Sequence, residues 1–185
     1  MSVPDGIHPA ASYGNGTVSL RRVTEGDLDI IERLTQDPAS TGEFAWFGWF
    51  DVQRWRREWA ENRMLGMDGG ALMVCGGEQR LGFVVWRRRP ATVTAYFWEI
   101  GIAMLPEARG HGHGSRAQRL LAEYLFAHTP VHRIEASTEV GNVPEQRALE
   151  KAGFSREGVS RGTGWRGGAW RDGVTYSILR TDLDG

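Results

Sequence analysis

The 185-residue chain has a single cysteine, Cys75, and a single lysine, Lys151. One thiol excludes an internal disulfide framework, so a reducing compartment, the cytoplasm, is the expected setting. No run approaches the roughly 20 apolar residues of a membrane span, and the first residues lack the charged-then-apolar order of a signal peptide; no membrane association is expected. Neither charge sign is in excess: 22 Lys plus Arg stand against 23 Asp plus Glu, for a formal net charge of -1. A general nucleic-acid binder shows a basic surplus, so no nucleic-acid partner is expected. Repeats and an obvious linker are also missing, and the length suits one domain with a real core.

Glycine and tryptophan are abundant, at 25 and 8 residues. Residues 1–16 are turn-rich and aperiodic, which reads as a loose N-terminal arm preceding a domain over residues 17–183. "TVSLRRV" reads as a strand. Thr24 and Asp27 resemble a capping box opening a helix with Leu28, Ile31 and Leu34 on one face. A second helix follows Asp51, with Val52, Trp55 and Trp59 on one stripe. "ALMVCG" and "RLGFVVWRR" read as paired strands, and a longer strand runs from about Thr92 to Met104. A helix follows with Ala117, Leu120, Leu121, Tyr124 and Leu125 on its buried face; then come a strand "HRIEASTE", a short helix capped by Asn142, and two strands around a Gly-rich turn. The order predicts a mixed α/β sheet.

The stretch "PEARGHGHGSRAQRLLAEYLF" places glycines at 110, 112 and 114 between a strand and a helix. Glycines there keep side chains out of the way while the unpaired amides and the dipole of the helix N-terminus face an anion. Ser115 can add a hydroxyl and Arg109 a charge. The lysine of a nucleoside-triphosphate loop is missing after the last glycine. "GHGSRA" fits the looser dinucleotide fingerprint, but the hairpin-like strands before it are not a parallel βαβ unit. His111 and His113 alternate as metal ligands can, yet no nearby Cys or carboxylate completes a set, so no metal is expected.

"RGHGHG", Arg109 to Gly114, resembles the R-x-x-G-x-G pyrophosphate loop of the GNAT superfamily of N-acetyltransferases, and "NVPEQRALEKAGF" is similar to that superfamily's second signature. The tail "REGVSRG…WRDGVTYSILRTDL" resembles the ribosomal-protein N-acetyltransferase-like (RimJ/RimL) branch. The resemblance implies a mostly antiparallel central sheet flanked by helices, with acetyl-CoA as acyl donor. It implies that Ile102, Ala103 and Met104 pair with the pantetheine arm, that Arg109, Gly110, His111, Gly112, His113, Gly114 and Ser115 surround the pyrophosphate, and that Asn142 lies near the thioester. It implies transfer to a primary amine, a peptide N-terminus or a small molecule, by direct attack on the thioester in a ternary complex. Homodimers are common among look-alikes.

An alkylamine is mostly protonated at neutral pH, so a general base helps. Glu99, in an E-I-G-I run similar to that branch, is the candidate; a strand glutamate that faces solvent or pairs with an arginine is the other reading. The acid that the resemblance implies is missing: where many such enzymes carry Tyr, and that branch often Ser, this chain has Leu149 and Glu145, which leaves water, Glu145 or no dedicated residue to protonate the departing thiolate. That departure keeps a non-catalytic acyl-CoA-binding module open as an alternative. "GEFAWFGWF" carries Phe44, Trp46, Phe47, Trp49 and Phe50 and must be buried in the core, held in a dimer contact or ligand-binding; as an acceptor wall it offers Trp46, Phe47 and Trp49, with Trp165 and Trp170 of the C-terminal hairpin opposite. "WRRRP", Trp86 to Pro90, is either a solvated strand end or an attraction for an acidic acceptor.

Overall fold

The computed structural model describes residues 12–14 and 18–183. Most of the expected N-terminal arm lies outside the described residues, and within it β1 (Ser12–Tyr13) pairs antiparallel with β2 (Ser19–Arg22). The capping box forms: Asp27 accepts from the amide and hydroxyl of Thr24 at 2.8 and 2.7 Å, and Arg21 donates to both its oxygens. Burial alone would raise the Asp27 pKa, but these donors outweigh it and hold it at about 2. The box closes a 3-10 turn that leads into α1 (Leu28–Gln36), whose Leu28, Ile31 and Leu34 are buried. After the short α2 (Pro38–Thr41) and the aromatic loop, α3 (Arg54–Asn62) buries Trp55, whose indole N–H donates to Thr35 of α1 at 3.2 Å.

The sheet is built from β3 (Leu65–Gly66), β4 (Gly69–Gly76), β5 (Gln79–Pro90) and β6 (Tyr96–Met104), followed by α4 (His113–His128), β7 (Arg133–Glu139), α5 (Val143–Lys151), β8 (Ser155–Arg166) and β9 (Ala169–Leu179). Its order is β1-β2-β4-β5-β6-β7-β9-β8, with β3 beside β4; among the described residues only β6 and β7 pair in parallel. This is a single-domain, mixed, mostly antiparallel open sheet with helices on both faces. The strand expected from Thr92 starts instead at Tyr96, because the amides of Ala91 and Thr92 both donate to the Ala95 carbonyl. That turn closes the β5–β6 hairpin, whose register begins at Pro90↔Tyr96.

Side-chain parity assigns the faces. On β5, Trp86 meets Tyr124 of α4 with ring centroids 6.2 Å apart, while Phe83, three residues away and so on the opposite face, meets Trp55 of α3 at 6.0 Å. The sheet therefore separates α4 and α5 on one face from α1 and α3 on the other. Ile134, Val84 and Leu121 are fully buried in the layer between sheet and α4, each worth roughly 1.5–3 kcal/mol of transfer free energy.

Candidate active site

The glycine loop follows from the end of β6. A 3-10 turn, Pro106–Ala108, takes up the amide of Arg109, which donates to the Pro106 carbonyl at 3.3 Å. Beyond it, Gly110 and Gly112 adopt φ of +79° and +78°, and a Cβ at either would meet nothing. The requirement there is conformational: the left-handed backbone costs an L-residue about 1–2 kcal/mol. In return the chain turns its amides outward. None of the amides from Gly110 through Ser115 has an acceptor among the described residues, so a row of orphan donors sits at the positive end of a 16-residue helix.

The side chains around this loop divide. Arg109 turns inward: its Nε donates to the Met104 carbonyl at 3.0 Å, and its Nη2 donates to the carbonyls of Ser40 and Thr41. Burial lowers its pKa. Its guanidinium thus ties the α2 end of the aromatic loop to the glycine loop, and the donors that the loop leaves unpaired among the described residues are neutral amides. Ser115 Oγ donates to the Gly112 carbonyl at 2.9 Å. The rings of His111 and His113 stack at 5.7 Å, and Nδ1 of His113 is buried without a partner. No group of three or more potential metal ligands occurs among the described residues.

Next to the loop the sheet opens. β6 pairs with β5 along its whole length, but with β7 only at Trp98↔Ile134 and Glu99↔Glu135. From Ile100 to Met104 the β7-facing edge of β6 has no strand partner among the described residues. The two strands part there around a cleft of about 390 Å³. Ile100, Gly101 and Ile102 line one wall and Ala136, Ser137, Thr138 and Glu139 the other. Ile102 borders the cleft directly, whereas Ala103 and Met104 lie opposite Phe83 and Gly82 on β5.

Two helices close the cleft on the α4–α5 face. Asn142 caps α5: its Oδ1 accepts from the Glu145 amide at 3.4 Å, and its Nδ2 donates to Thr138 Oγ1 at 2.9 Å. Gln118, 2% exposed on α4, donates through Nε2 to Glu145 Oε1 at 2.6 Å, while its own Oε1 has no partner. Burial pushes the Glu145 carboxyl up to about 7, against the pull of the Gln118 hydrogen bond. Leu149, one turn further, is 1% exposed and belongs to the core.

The opposite face is less enclosed. Phe44, Ala45 and Phe47 border the cleft, with Thr163, Gly164, Arg171, Asp172 and Gly173 of the β8–β9 hairpin. Phe47 is 67% exposed. Phe44 packs under Arg166 at 5.4 Å, and Arg166 is held by Glu139, whose pKa it lowers. Trp46 and Trp49 pack edge to face at 5.6 Å, as do Trp165 and Trp170 at 5.4 Å; none of these four borders the cleft itself. Glu99 shares this face, since Gly101 lies opposite Val85 and Ala103 opposite Phe83. Its carboxylate accepts from Arg89 Nε at 2.8 Å, outside the cleft lining. In "WRRRP", Arg88 pairs with Asp68 and Arg89 with Glu99.

Gln118, Thr138 and Glu139 were not among the residues singled out from sequence, whereas Phe44 was named as one ring of the aromatic loop. Only Gln118 carried a signal, as a polar residue on the apolar stripe of a helix.

Residues 17–155 match the acetyltransferase (GNAT) domain family, and the chain belongs to that family. A relative in Bacillus subtilis, the uncharacterized N-acetyltransferase YnaD, is 35% identical over 60 residues, 32% of this chain and 35% of that protein. The matched segment thus spans about a third of that relative's length. Among solved structures, spermidine N-acetyltransferase from Vibrio cholerae, in complex with CoA and spermine, superimposes with a TM-score of 0.79 at 20% identity, covering 92% of this chain and all of that one. The RimL ribosomal L7/L12 alpha-N-protein acetyltransferase in complex with coenzyme A gives 0.75 at 15% identity, covering 91% and 98%. At these identities the structural matches establish the fold.

Proposed function

We propose that this protein is an acetyl-CoA-dependent N-acetyltransferase that transfers acetyl to a primary amine by direct attack on the thioester in a ternary complex. The observation that carries the reading is the continuity of two unsatisfied surfaces. The orphan amides of Gly110 to Ser115 run into the unpaired edge of β6, and that edge borders a cleft reaching through the sheet. A diphosphate joined to a long amide-bearing arm has the chemistry to satisfy both: phosphate oxygens take the amides, and the arm's N–H and C=O groups extend the sheet. In this reading the amides of Gly110 to Gly114 hold the pyrophosphate, the backbone of Ile102 to Met104 pairs with pantetheine, and Asn142 lies by the thioester.

The acceptor enters from the face of the aromatic loop. Phe47 walls the approach, with Trp46, Trp49 and Trp165 further out. Glu99 accepts the amine proton, directly or through water, in exchange with its Arg89 partner. Two structural neighbours are named as a spermidine N-acetyltransferase and a ribosomal L7/L12 alpha-N-protein acetyltransferase, in keeping with a small amine or a peptide N-terminus as acceptor and with placement near the RimJ/RimL branch. A second reading, a non-catalytic acyl-CoA-binding module, draws on Leu149 and Glu145, which stand where the family resemblance implies Tyr and Ser; Leu149 is buried in the core.

Calorimetric titration with acetyl-CoA, CoA and NAD, followed by an amine panel read by thiol release, separates the two. The transferase binds CoA selectively and turns over an amine. The module binds CoA and turns over none. Failure to bind CoA removes both.

A further inference from the structure

A thioester gives up its sulfur as a thiolate, and a proton delivered to it as the C–S bond breaks prevents the reverse attack. Leu149 has no proton to give and no room to move. Glu145 is in a different situation. It projects from the first turn of α5, three residues after Asn142 and on the same face, and both line the cleft from the side of the glycine loop.

Its partner shows which form of the carboxyl the site suits. Gln118 brings one amide into a buried position, and an amide has a donor and an acceptor to satisfy. The Nε2 donor is taken up by Glu145, while the Oε1 acceptor is left without a partner. A carboxylate only accepts and offers that oxygen nothing. A protonated carboxyl carries the O–H donor that the Gln118–Glu145 pair lacks, and an unmet buried acceptor costs roughly 1–3 kcal/mol. The other charged groups bordering the cleft are Glu139, neutralised by Arg166, and Arg171 and Asp172 on the hairpin across the opening. None forms a salt bridge to Glu145.

We propose that Glu145 is the catalytic acid that protonates the departing CoA sulfur, with Gln118 as the residue that positions its carboxyl; this rests on the acetyl-CoA reading above. The two sides of the sheet make it an acid and not the base. The donor comes from the glycine loop and α4, so its sulfur stays tethered on the helix face, where Glu145 lies. The amine comes from the aromatic-loop face, where Glu99 lies. In the step, the amine lone pair forms the C–N bond and the C–S electron pair leaves on sulfur. The Glu145 proton moves to that sulfur, giving the free thiol. The proton lost by nitrogen passes to Glu99 or to water, and Glu145 is reprotonated from solvent, so no net proton is gained or lost. Burial, which holds the Glu145 pKa at about 7, makes that proton available at neutral pH.

The test needs no known acceptor. CoA is bound to the wild-type protein and to Glu145→Gln, and its thiol is titrated through thiolate ultraviolet absorbance, with the CoA-free protein subtracted to remove Cys75. A carboxyl against the sulfur raises the bound thiol's pKa by roughly a unit or more relative to the glutamine variant, since the two cannot both ionise cheaply. Equal thiol titration in the two proteins overturns the assignment. Absence of CoA binding by the wild type defeats the underlying reading instead. Once an acceptor is in hand, Glu145→Gln should lower kcat by about 10²-fold with KM for acetyl-CoA little changed, and should remove a fall in kcat above neutral pH. A limb that rises through the same pH and disappears in Glu145→Gln makes the residue the base and contradicts the proposal. In Gln118→Leu the wild-type kcat limb should move to lower or higher pH without vanishing; an unmoved limb removes the positioning role.

Discussion

The two faces of the cleft differ in how they are made. On the α4–α5 face everything is backbone geometry and buried hydrogen bonding: left-handed glycines, a helix N-terminus, an Asn cap, and a Gln–Glu pair in the core layer. On the aromatic-loop face the surface is large side chains on irregular backbone, with Phe47 67% and Trp49 79% exposed. The first face suits a ligand of fixed shape, because amides on a rigid helix cannot adjust to a variable one. The second suits a ligand that varies, because exposed rings on a loop can re-pack. Arg109 joins the two, its side chain crossing from the glycine loop to the carbonyls of Ser40 and Thr41.

The largest expected effect breaks the first face. Gly112→Glu forces an L-residue into φ +78° and places a carboxylate among the anion-binding amides. Strain and like charge together should weaken CoA binding by at least ~10²-fold, measured by calorimetry, while the far-ultraviolet spectrum is kept. A smaller effect belongs to the second face. Phe47→Ala should raise the acceptor KM by about three- to tenfold and leave acetyl-CoA affinity unchanged, because only part of an exposed ring's contact is lost. Trp49→Ala, outside the cleft lining, should change it less. Equal effects from the two would place the acceptor further out on the loop than the cleft does.

The third prediction concerns stability. Burial raises the Glu145 pKa to about 7 in the folded protein, above an unfolded value of about 4.3. A raised pKa contributes stability that is complete below the unfolded value and is lost as pH rises through the folded one. Glu145→Gln keeps a neutral amide at every pH. It should therefore gain on the wild type between about pH 4.5 and 7, reaching up to about 4 kcal/mol on the alkaline side. Denaturant melts at about pH 5 and pH 8 read the difference; a gap that does not widen with pH means that the folded carboxyl is not held neutral. The last prediction concerns Glu99→Gln. The variant should bind CoA normally and lower kcat with an altered acidic limb, and an unchanged pH–rate profile would take Glu99 out of the chemistry.

The same contrast explains what the sequence could tell. Glycines at 110, 112 and 114 ahead of an amphipathic helix, Asn142 ahead of Pro144, and Thr24 with Asp27 are local patterns, because each depends on residues within one turn. The succession of strands and helices along the chain follows from them and from the alternating runs, whereas the order of the strands in the sheet rests on long-range pairing. The inward turn of Arg109 was out of reach, since it depends on carbonyls 68 and 69 residues away. So was the Gln118–Glu145 contact, made across 27 residues between two helices. The aromatic loop has no period, so its composition says that the rings need partners without saying which rings point where. Phe44, seated under Arg166, could not be told from its neighbours.

The central claim is that acetyl-CoA lies along the glycine loop and the open edge of β6. Hydrogen exchange of the backbone amides, followed with and without acetyl-CoA, tests it most directly. Gly110 to Ser115 lack acceptors in the protein alone and should exchange fast. Acetyl-CoA should slow those amides and the ones of β6 between Gly101 and Met104, with little change at β2 or β4. Protection confined to other strands, or none at saturating acetyl-CoA, would contradict the account.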